Sequence, residues 1–353
     1  MIDLTEYGLR REDVPADGVH ARVMAVHRER FVLMSETGEA YGRLKSSVYY
    51  NDGKALFPTA GDFVLIAPNP AGDSLIVETL PRRTFFSRRD PYPGRPMEQA
   101  VAANFDTAFL VLSLNENFNI NRLERYLTLA WQSGAVPVVV LTKCDLPGDH
   151  SAMIAAAKDA AMGAQVFPVS AKTGQGLEQL EPYFAPGQTV ALLGSSGVGK
   201  STLINRLAGK ELMLTGEIRE KDGAGRHTTT HRQLLRLPQG GLVIDTPGMR
   251  ELGMWDVTSG LGEAFHDVEQ YLGKCRFSDC RHENEPGCAI REAIERGELS
   301  PQRWKNYRQL QKEAVYDDSR ENYIAQKRLR NRAIAMNNRQ KKKDRRKARV
   351  QEK

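Results

Sequence analysis

The sequence contains no run of eighteen apolar residues, so no membrane-spanning helix is predicted. Its opening, Met1-Ile2-Asp3-Leu4-Thr5-Glu6, has neither the basic start nor the apolar stretch of an export signal. We therefore expect a cytoplasmic protein with no membrane partner. Cysteine is scarce, with four in 353 residues. Cys144 stands alone, whereas Cys275, Cys280 and Cys288 cluster, and an odd cluster suits metal binding better than disulfide pairing. No internal repeat is present, which argues against a repeat architecture.

What is there fits a folded chain of two or three modest domains: 41% hydrophobic and 27% charged residues over a length too great for one ordinary core. The formal net charge of +6 is unevenly spread. From Gln326 to Lys353, 13 Lys or Arg face only Asp344 and Glu352, so the tail carries about +11 and the preceding residues about −5. Such a block releases counterions on meeting a polyphosphate and points to RNA or DNA as partner; the alternative is a solvated, disordered end.

Residues 18 to 82 hold short alternating runs, such as Asp62-Phe63-Val64-Leu65-Ile66, broken by turn signals, the texture of a small all-β barrel or sandwich. Arg82 to Pro96 is rich in Pro and Arg and reads as a linker. From Asp106 the pattern changes to apolar runs alternating with helix-length stretches, which predicts a parallel sheet covered on both faces, an α/β domain. After Gly248 come helical segments, the Cys/His cluster and the charged tail. The expected division is 1–95 for the β domain with its linker, 96–255 for the α/β domain, 256–320 for a helical metal-binding domain and 321–353 for the tail.

Thr189-Val190-Ala191-Leu192-Leu193 leads into Gly194-Ser195-Ser196-Gly197-Val198-Gly199-Lys200-Ser201-Thr202, a strand, a G-x-x-x-x-G-K-S loop and a helix start. Glycines let backbone N–H groups wrap phosphate oxygens, Lys200 adds charge toward the β and γ phosphates, and the Ser201 hydroxyl suits Mg²⁺. Val138 to Leu141 then Thr142-Lys143-Cys144-Asp145 forms a strand ending in T-K-x-D. A carboxylate at Asp145 accepts from both the ring N–H and the exocyclic amine of guanine, donors that adenine does not present together, while Lys143 packs its stem on the base. Ser170-Ala171-Lys172 ends another apolar strand, where a backbone N–H could meet the guanine carbonyl.

Leu242-Val243-Ile244-Asp245-Thr246-Pro247-Gly248 is a strand followed by D-x-x-G, with Asp245 toward Mg²⁺ and Gly248 sensing the γ-phosphate. Between lies Gly225-Arg226-His227-Thr228-Thr229-Thr230. One threonine is expected to complete the Mg²⁺ shell, Thr229 first, with Thr228 and Thr230 as alternatives. Met249 follows D-x-x-G where a water-orienting glutamine would be useful, so intrinsic hydrolysis is expected to be slow. His227 is the nearest titratable residue for that task; ordering its loop is the other reading. The chain order places the guanine-reading loops before the phosphate loop, a circular permutation. Cys275-x₄-Cys280-x-His282-x₅-Cys288 offers three thiolates and one imidazole, a set that favours one structural Zn²⁺.

The permuted order, G-S-S-G-V-G-K-S, G-R-H-T-T-T, D-T-P-G and C-x₄-C-x-H-x₅-C-A-I-R-E together resemble the ribosome small-subunit-dependent GTPase A family of bacteria, over roughly residues 18 to 315. The resemblance implies an N-terminal OB-fold barrel, a circularly permuted P-loop GTPase domain and a C-terminal helical zinc-binding domain. It implies GTP/GDP, Mg²⁺ and one Zn²⁺ as bound groups, and the small ribosomal subunit and its rRNA as partners. It further implies GTP hydrolysis during late maturation of that particle, stimulated by it, with a role in hydrolysis for His227; Lys200 and Thr229 are the other catalytic candidates read from their loops, and a monomer is expected. A nucleotide-gated RNA-binding scaffold with incidental turnover is the alternative. Two departures stand out: Thr142 replaces the asparagine that many members carry, which would weaken the tie between guanine loop and phosphate loop, and the basic extension is C-terminal.

Overall fold

The computed structural model describes residues 1–27, 30–49, 56–89, 98–213, 233–246 and 258–313. Strands β1 (Val19–His27), β2 (Arg30–Ser35), β3 (Gly38–Leu44), β4 (Phe63–Ala67) and β5 (Ser74–Thr79) carry the alternation seen in the sequence. β1 pairs antiparallel with both β2 and β4, β2 with β3, and β4 with β5, while β3 runs parallel to β5. The ring closes, with the short helix α1 (Ser46–Tyr49) between β3 and β4 in the chain. This is the five-stranded OB arrangement. Ala21, Val23, Phe31, Leu33, Val64 and Ile76 fill its interior.

The second body is a parallel sheet in which β10 (Gln165–Pro168), β9 (Val136–Thr142), β8 (Thr107–Ser113), β11 (Thr189–Leu193) and β13 (Leu242–Asp245) lie side by side. The antiparallel β12 (Gln233–Arg236) flanks β13. Side chains alternate across a strand, so β8 feeds two cores. Ala108, Leu110 and Leu112 pack beneath α2 (Ile120–Gln132) and α3 (Ser151–Ala161), and Phe109 and Val111 beneath α4 (Lys200–Ala208). The uninterrupted apolar runs follow from burial on both faces. β11, which carries the phosphate loop, sits between β8 and β13 although β8, β9 and β10 precede it in the chain. That is the permutation in space.

The two bodies join. β12 pairs with β1 at Gln233 and Ala25, making barrel and sheet one continuous hydrogen-bonded structure. Arg22, fully buried on β1, donates to the carbonyls of Tyr7, Gly61 and Asn104 and, at 3.0 Å, to Thr189 Oγ1 at the start of β11. Burial pushes its guanidinium down to about 9, so it stays charged at neutral pH.

Helices α5 (Thr258–Ala264), α6 (His266–Glu269), α7 (Ala289–Glu295) and α8 (301–313) form the C-terminal module. Leu261, Phe265, Ile290 and Tyr307 join the core on the α2 side of the sheet.

The sequence between Arg82 and Pro96 reads as a linker without regular structure, yet Phe85–Arg89 is a strand, β6, paired antiparallel with β7 (Glu98–Ala103). Phe86 explains the difference: it is buried and stacks on Phe105 at 4.5 Å, and that long-range packing outweighs the local Pro and Arg content.

Candidate nucleotide site and metal cluster

Parallel strands deliver their carboxyl ends to one edge, where open α/β sheets bind ligands. Leu141 of β9 registers with Pro168 of β10, Leu110 of β8 with Leu193 of β11, and Leu192 with Asp245 of β13. The T-K-x-D, S-A-K, G-x-x-x-x-G-K-S and D-x-x-G loops therefore all begin at that edge.

The phosphate loop needs its glycines. A Cβ at Gly194 would meet the Val111 carbonyl oxygen at 2.6 Å, and Gly197 and Gly199 have φ of 77° and 100°, left-handed values that side chains disfavour. Gly199 stands at the N-cap position of α4, so the loop lies at the positive end of a helix, a setting that suits phosphate. Lys200 Nζ donates to the carbonyls of Gly194 at 2.6 Å and Ser195 at 2.8 Å. Ser201 and Thr202 follow in the first turn of α4, and Ser196 and Gly197 are exposed at the tip.

The guanine loop is bound to the phosphate loop at two points. Buried Thr142 Oγ1 lies within hydrogen-bond distance of the Leu112 and Val198 carbonyls, between which its single proton is shared, and Lys143 Nζ reaches the Gly197 carbonyl at 2.9 Å. The tie that Thr142 would weaken by replacing asparagine is made by its own hydroxyl. Lys143 has φ of 62°, a left-handed conformation costing about 1 kcal/mol or more. The bonds from Lys143 to Gly197 and from Cys144 N–H to the Val169 carbonyl hold it there.

Asp145 Oδ1 accepts from Ser170 Oγ at 2.7 Å, and that bond, first, holds the carboxyl below the usual carboxylate range. Ser170 Oγ also accepts from the Thr173 N–H at 3.1 Å, so both the hydroxyl and its turn are fixed. The sequence suggests only a backbone N–H at this turn; the serine side chain adds orientation of the Asp145 carboxylate. Ala171 and Lys172 continue the same turn, with Lys172 exposed.

Asp245 ends β13 and is buried, and Thr246 Oγ1 donates to the Leu192 carbonyl at 2.5 Å. A hydroxyl at Ser201 and a carboxylate at Asp245 are hard oxygen ligands, the chemistry that Mg²⁺ prefers. His227, Thr228, Thr229, Thr230 and Gly248, like the basic tail, lie outside the described residues.

No sequence motif singles out Tyr126. This buried α2 residue places its hydroxyl 3.4 Å from Ser195 Oγ. The spacing of an amphipathic helix accounts for Tyr126 as core, which hides the contact.

The ligand atoms of Cys275, Cys280, His282 and Cys288 lie within 4.8 Å of one another. His282 Nδ1 is 3.4 Å from Cys275 Sγ and 3.5 Å from Cys288 Sγ. Zn–S and Zn–N bonds of ordinary length at tetrahedral angles put S and N about 3.6 Å apart, so the residues fit this ion. Glu285 organises the ligand loop: its carboxylate accepts backbone N–H groups of Arg281, Glu283 and Asn284 at 2.9 to 3.0 Å, which hold it down at about 2. Trp304 of α8 meets the His282 ring edge-on at 5.4 Å.

A sheet whose central strand bears a phosphate loop, with the T-K-x-D and S-A-K loops on strands that come earlier in the chain, defines a circularly permuted GTPase. Comparison with known proteins agrees. The family model described as RsgA GTPase matches residues 79–255. The chain is 44% identical over 317 residues to Small ribosomal subunit biogenesis GTPase RsgA 1 of Listeria monocytogenes, covering 89% of this chain and 90% of that protein. The crystal structure of YjeQ from Thermotoga maritima, 28% identical, superposes with a TM-score of 0.61 over 84% of this chain and 98% of that one. The fold is also that of YloQ, described as a circularly permuted GTPase, with a TM-score of 0.58 at 23% identity over 87% and 98% of the two chains. A model described as ABC transporter matches residues 177–346, a span that holds the phosphate loop but neither Asp145 nor Ser170. The chain belongs to the RsgA GTPase family and is a GTP hydrolase.

Proposed function

We propose that this GTPase acts in the late maturation of the small ribosomal subunit, binding its rRNA and hydrolysing GTP faster on that particle. The relative from Listeria monocytogenes is named a small ribosomal subunit biogenesis GTPase, and the basic tail supplies charge suited to rRNA. The observation that carries the nucleotide reading is the contact of Thr142 and Lys143 with the phosphate loop beside the Asp145–Ser170 bond. It joins base reader and phosphate cradle into one unit.

In this reading Asp145 accepts from guanine, Lys143 covers the base, and Ser170, Ala171 and Lys172 line its carbonyl side. Residues Gly194 to Thr202 wrap the phosphates, with Lys200 neutralising charge that grows on the β and γ oxygens. Ser201, Asp245 and Thr229 would hold Mg²⁺, which supplies further charge on the phosphates. Gly248 senses the γ-phosphate and His227 orients the attacking water. Cys275, Cys280, His282 and Cys288 hold one structural zinc. The working division is barrel 1–95, GTPase domain 96–255, zinc module 256–320 and tail 321–353, in a cytoplasmic monomer.

Single-turnover GTP hydrolysis with and without purified small subunits tests this. Acceleration by small subunits, and not by large ones, is expected; equal rates in all three samples would refute the ribosomal role. Lys200→Ala is expected to abolish turnover.

A further inference from the structure

Helix α2 separates the nucleotide site from the C-terminal module. Residues two apart on an α-helix project about 200° apart, so Glu124 and Tyr126 leave α2 in opposite directions. On one side, buried Glu124 accepts from Arg303 Nη1 at 2.7 Å and from Asn306 Nδ2 at 2.5 Å. Arg303 also donates to both oxygens of Asp267 at 3.0 Å and to the Ala264 carbonyl. On the other side, the Tyr126 hydroxyl lies 3.4 Å from Ser195 Oγ in the phosphate loop. A buried tyrosine hydroxyl seeks a partner, and Ser195 supplies it among the described residues.

Both contacts lead to something that matters. The Ser195 carbonyl is among the acceptors that hold Lys200 Nζ, at 2.8 Å. Moving Ser195 therefore moves the cation closest to the phosphates. The α2–module joint has little slack: a Cβ on Gly260 of α5 would meet the Thr128 carbonyl of α2 at 2.2 Å. Close-packed interiors pass displacements on instead of absorbing them.

We propose that Tyr126 is a positioning residue for GTP hydrolysis: it sets Ser195, and with it the carbonyl that holds Lys200, while the C-terminal module sets Tyr126 through Glu124. The proposal rests on residues 194–201 being the phosphate loop. It gives α2 a direct part in passing the state of the C-terminal module to the reacting phosphate. This route does not use the segment after D-x-x-G.

The test uses the full chain with Tyr126→Phe, Ser195→Ala, Glu124→Gln and the doubles containing Tyr126→Phe. Single-turnover hydrolysis at saturating Mg·GTP, GDP affinity, GTP-over-ATP preference and thermal melting are read for each. Tyr126→Phe is expected to slow hydrolysis about three- to tenfold, as loss of one modest hydrogen bond converts, with base preference unchanged because no guanine-loop contact is touched. Tyr126→Phe with Ser195→Ala should be no slower than the slower single variant. Glu124→Gln should also slow the step, and its combination with Tyr126→Phe should fall short of the product of the two effects. If Glu124→Gln does not fold, Asn306→Ala, which removes one of the two partners of Glu124, takes its place. Wild-type rates in Tyr126→Phe, or effects that multiply in full across the two sides of α2, would overturn the proposal. A wild-type chain that bound no GDP would instead overturn the phosphate-loop reading itself.

Discussion

Asp145 accepts a 2.7 Å hydrogen bond from Ser170 Oγ, which joins the ends of two neighbouring strands across 25 residues of chain. The bond aims the carboxylate and favours its ionised form, the state that the proposed guanine reading requires. Ser170→Ala should weaken GDP binding about fivefold at neutral pH, the worth of one modest hydrogen bond. Asp145→Asn, which swaps one acceptor for a donor, should reduce guanine-over-adenine preference about 100-fold or more. Titration of fluorescent GDP and ADP analogues measures both.

The same pair sets a pH limit. The carboxyl of Asp145 is held below its ordinary value, so the ionised form persists as pH falls and is lost only on passing that lowered value. Removing the Ser170 hydroxyl raises the carboxyl toward its ordinary range. Loss of GDP binding on acidification should therefore begin at higher pH in Ser170→Ala than in the wild type, over the range where melting shows both folded. Coincident acid limbs would show that the bond does not control the charge.

Thr142→Val keeps the side-chain shape and removes the hydroxyl that faces the Leu112 and Val198 carbonyls. A buried acceptor left unsatisfied costs about 1–3 kcal/mol. Lower thermal stability and weaker GDP binding should appear together, and Thr142→Ser should recover most of both. Melting curves and GDP titrations on the two variants check this.

Motifs made most of the candidate nucleotide site legible because each is contiguous: a run of glycines, a lysine and a serine announces its own loop. Partners from distant segments are not announced. Nothing near Thr142 says that its hydroxyl will meet Val198, and nothing near Tyr126 says that it will face Ser195. Arg22 gives no warning either. It stands among alternating strand residues, and only the junction of barrel, N-terminal turn and β11 makes its burial tolerable. The strand at Phe85–Arg89 was hidden for the same reason, since its stability comes from Phe86 packing on Phe105 and not from its own composition. The clustering of Cys275, Cys280, His282 and Cys288 was legible, but the role of Glu285 in binding three backbone N–H groups required the folded loop.

Cys280→Ser should release zinc. Elemental analysis of the purified chain is expected to fall from about one zinc per molecule to well below that, with a lower melting temperature for the C-terminal module. Glu285→Gln should retain the ion but bind it roughly tenfold more weakly, as expected when the group that orients the ligands is weakened. Zinc content unchanged in Cys280→Ser would refute the ligand set.

Arg22→Met should destabilise the whole chain, because it leaves the Tyr7 and Asn104 carbonyls and Thr189 Oγ1 without their buried donor. A loss of about 2–4 kcal/mol is expected from chemical denaturation. A single cooperative transition in the wild type that splits in two in the variant would identify Arg22 as the pin between barrel and GTPase domain.

The most direct test is competition for the nucleotide site itself. Fluorescent GDP bound to the full chain with Mg²⁺ is titrated with unlabelled GTP and, separately, with ATP. GTP should displace the label at concentrations at least about 100-fold lower than ATP. Equal displacement by the two would contradict the assembly of Asp145, Ser170 and the phosphate loop into one guanine-selective site.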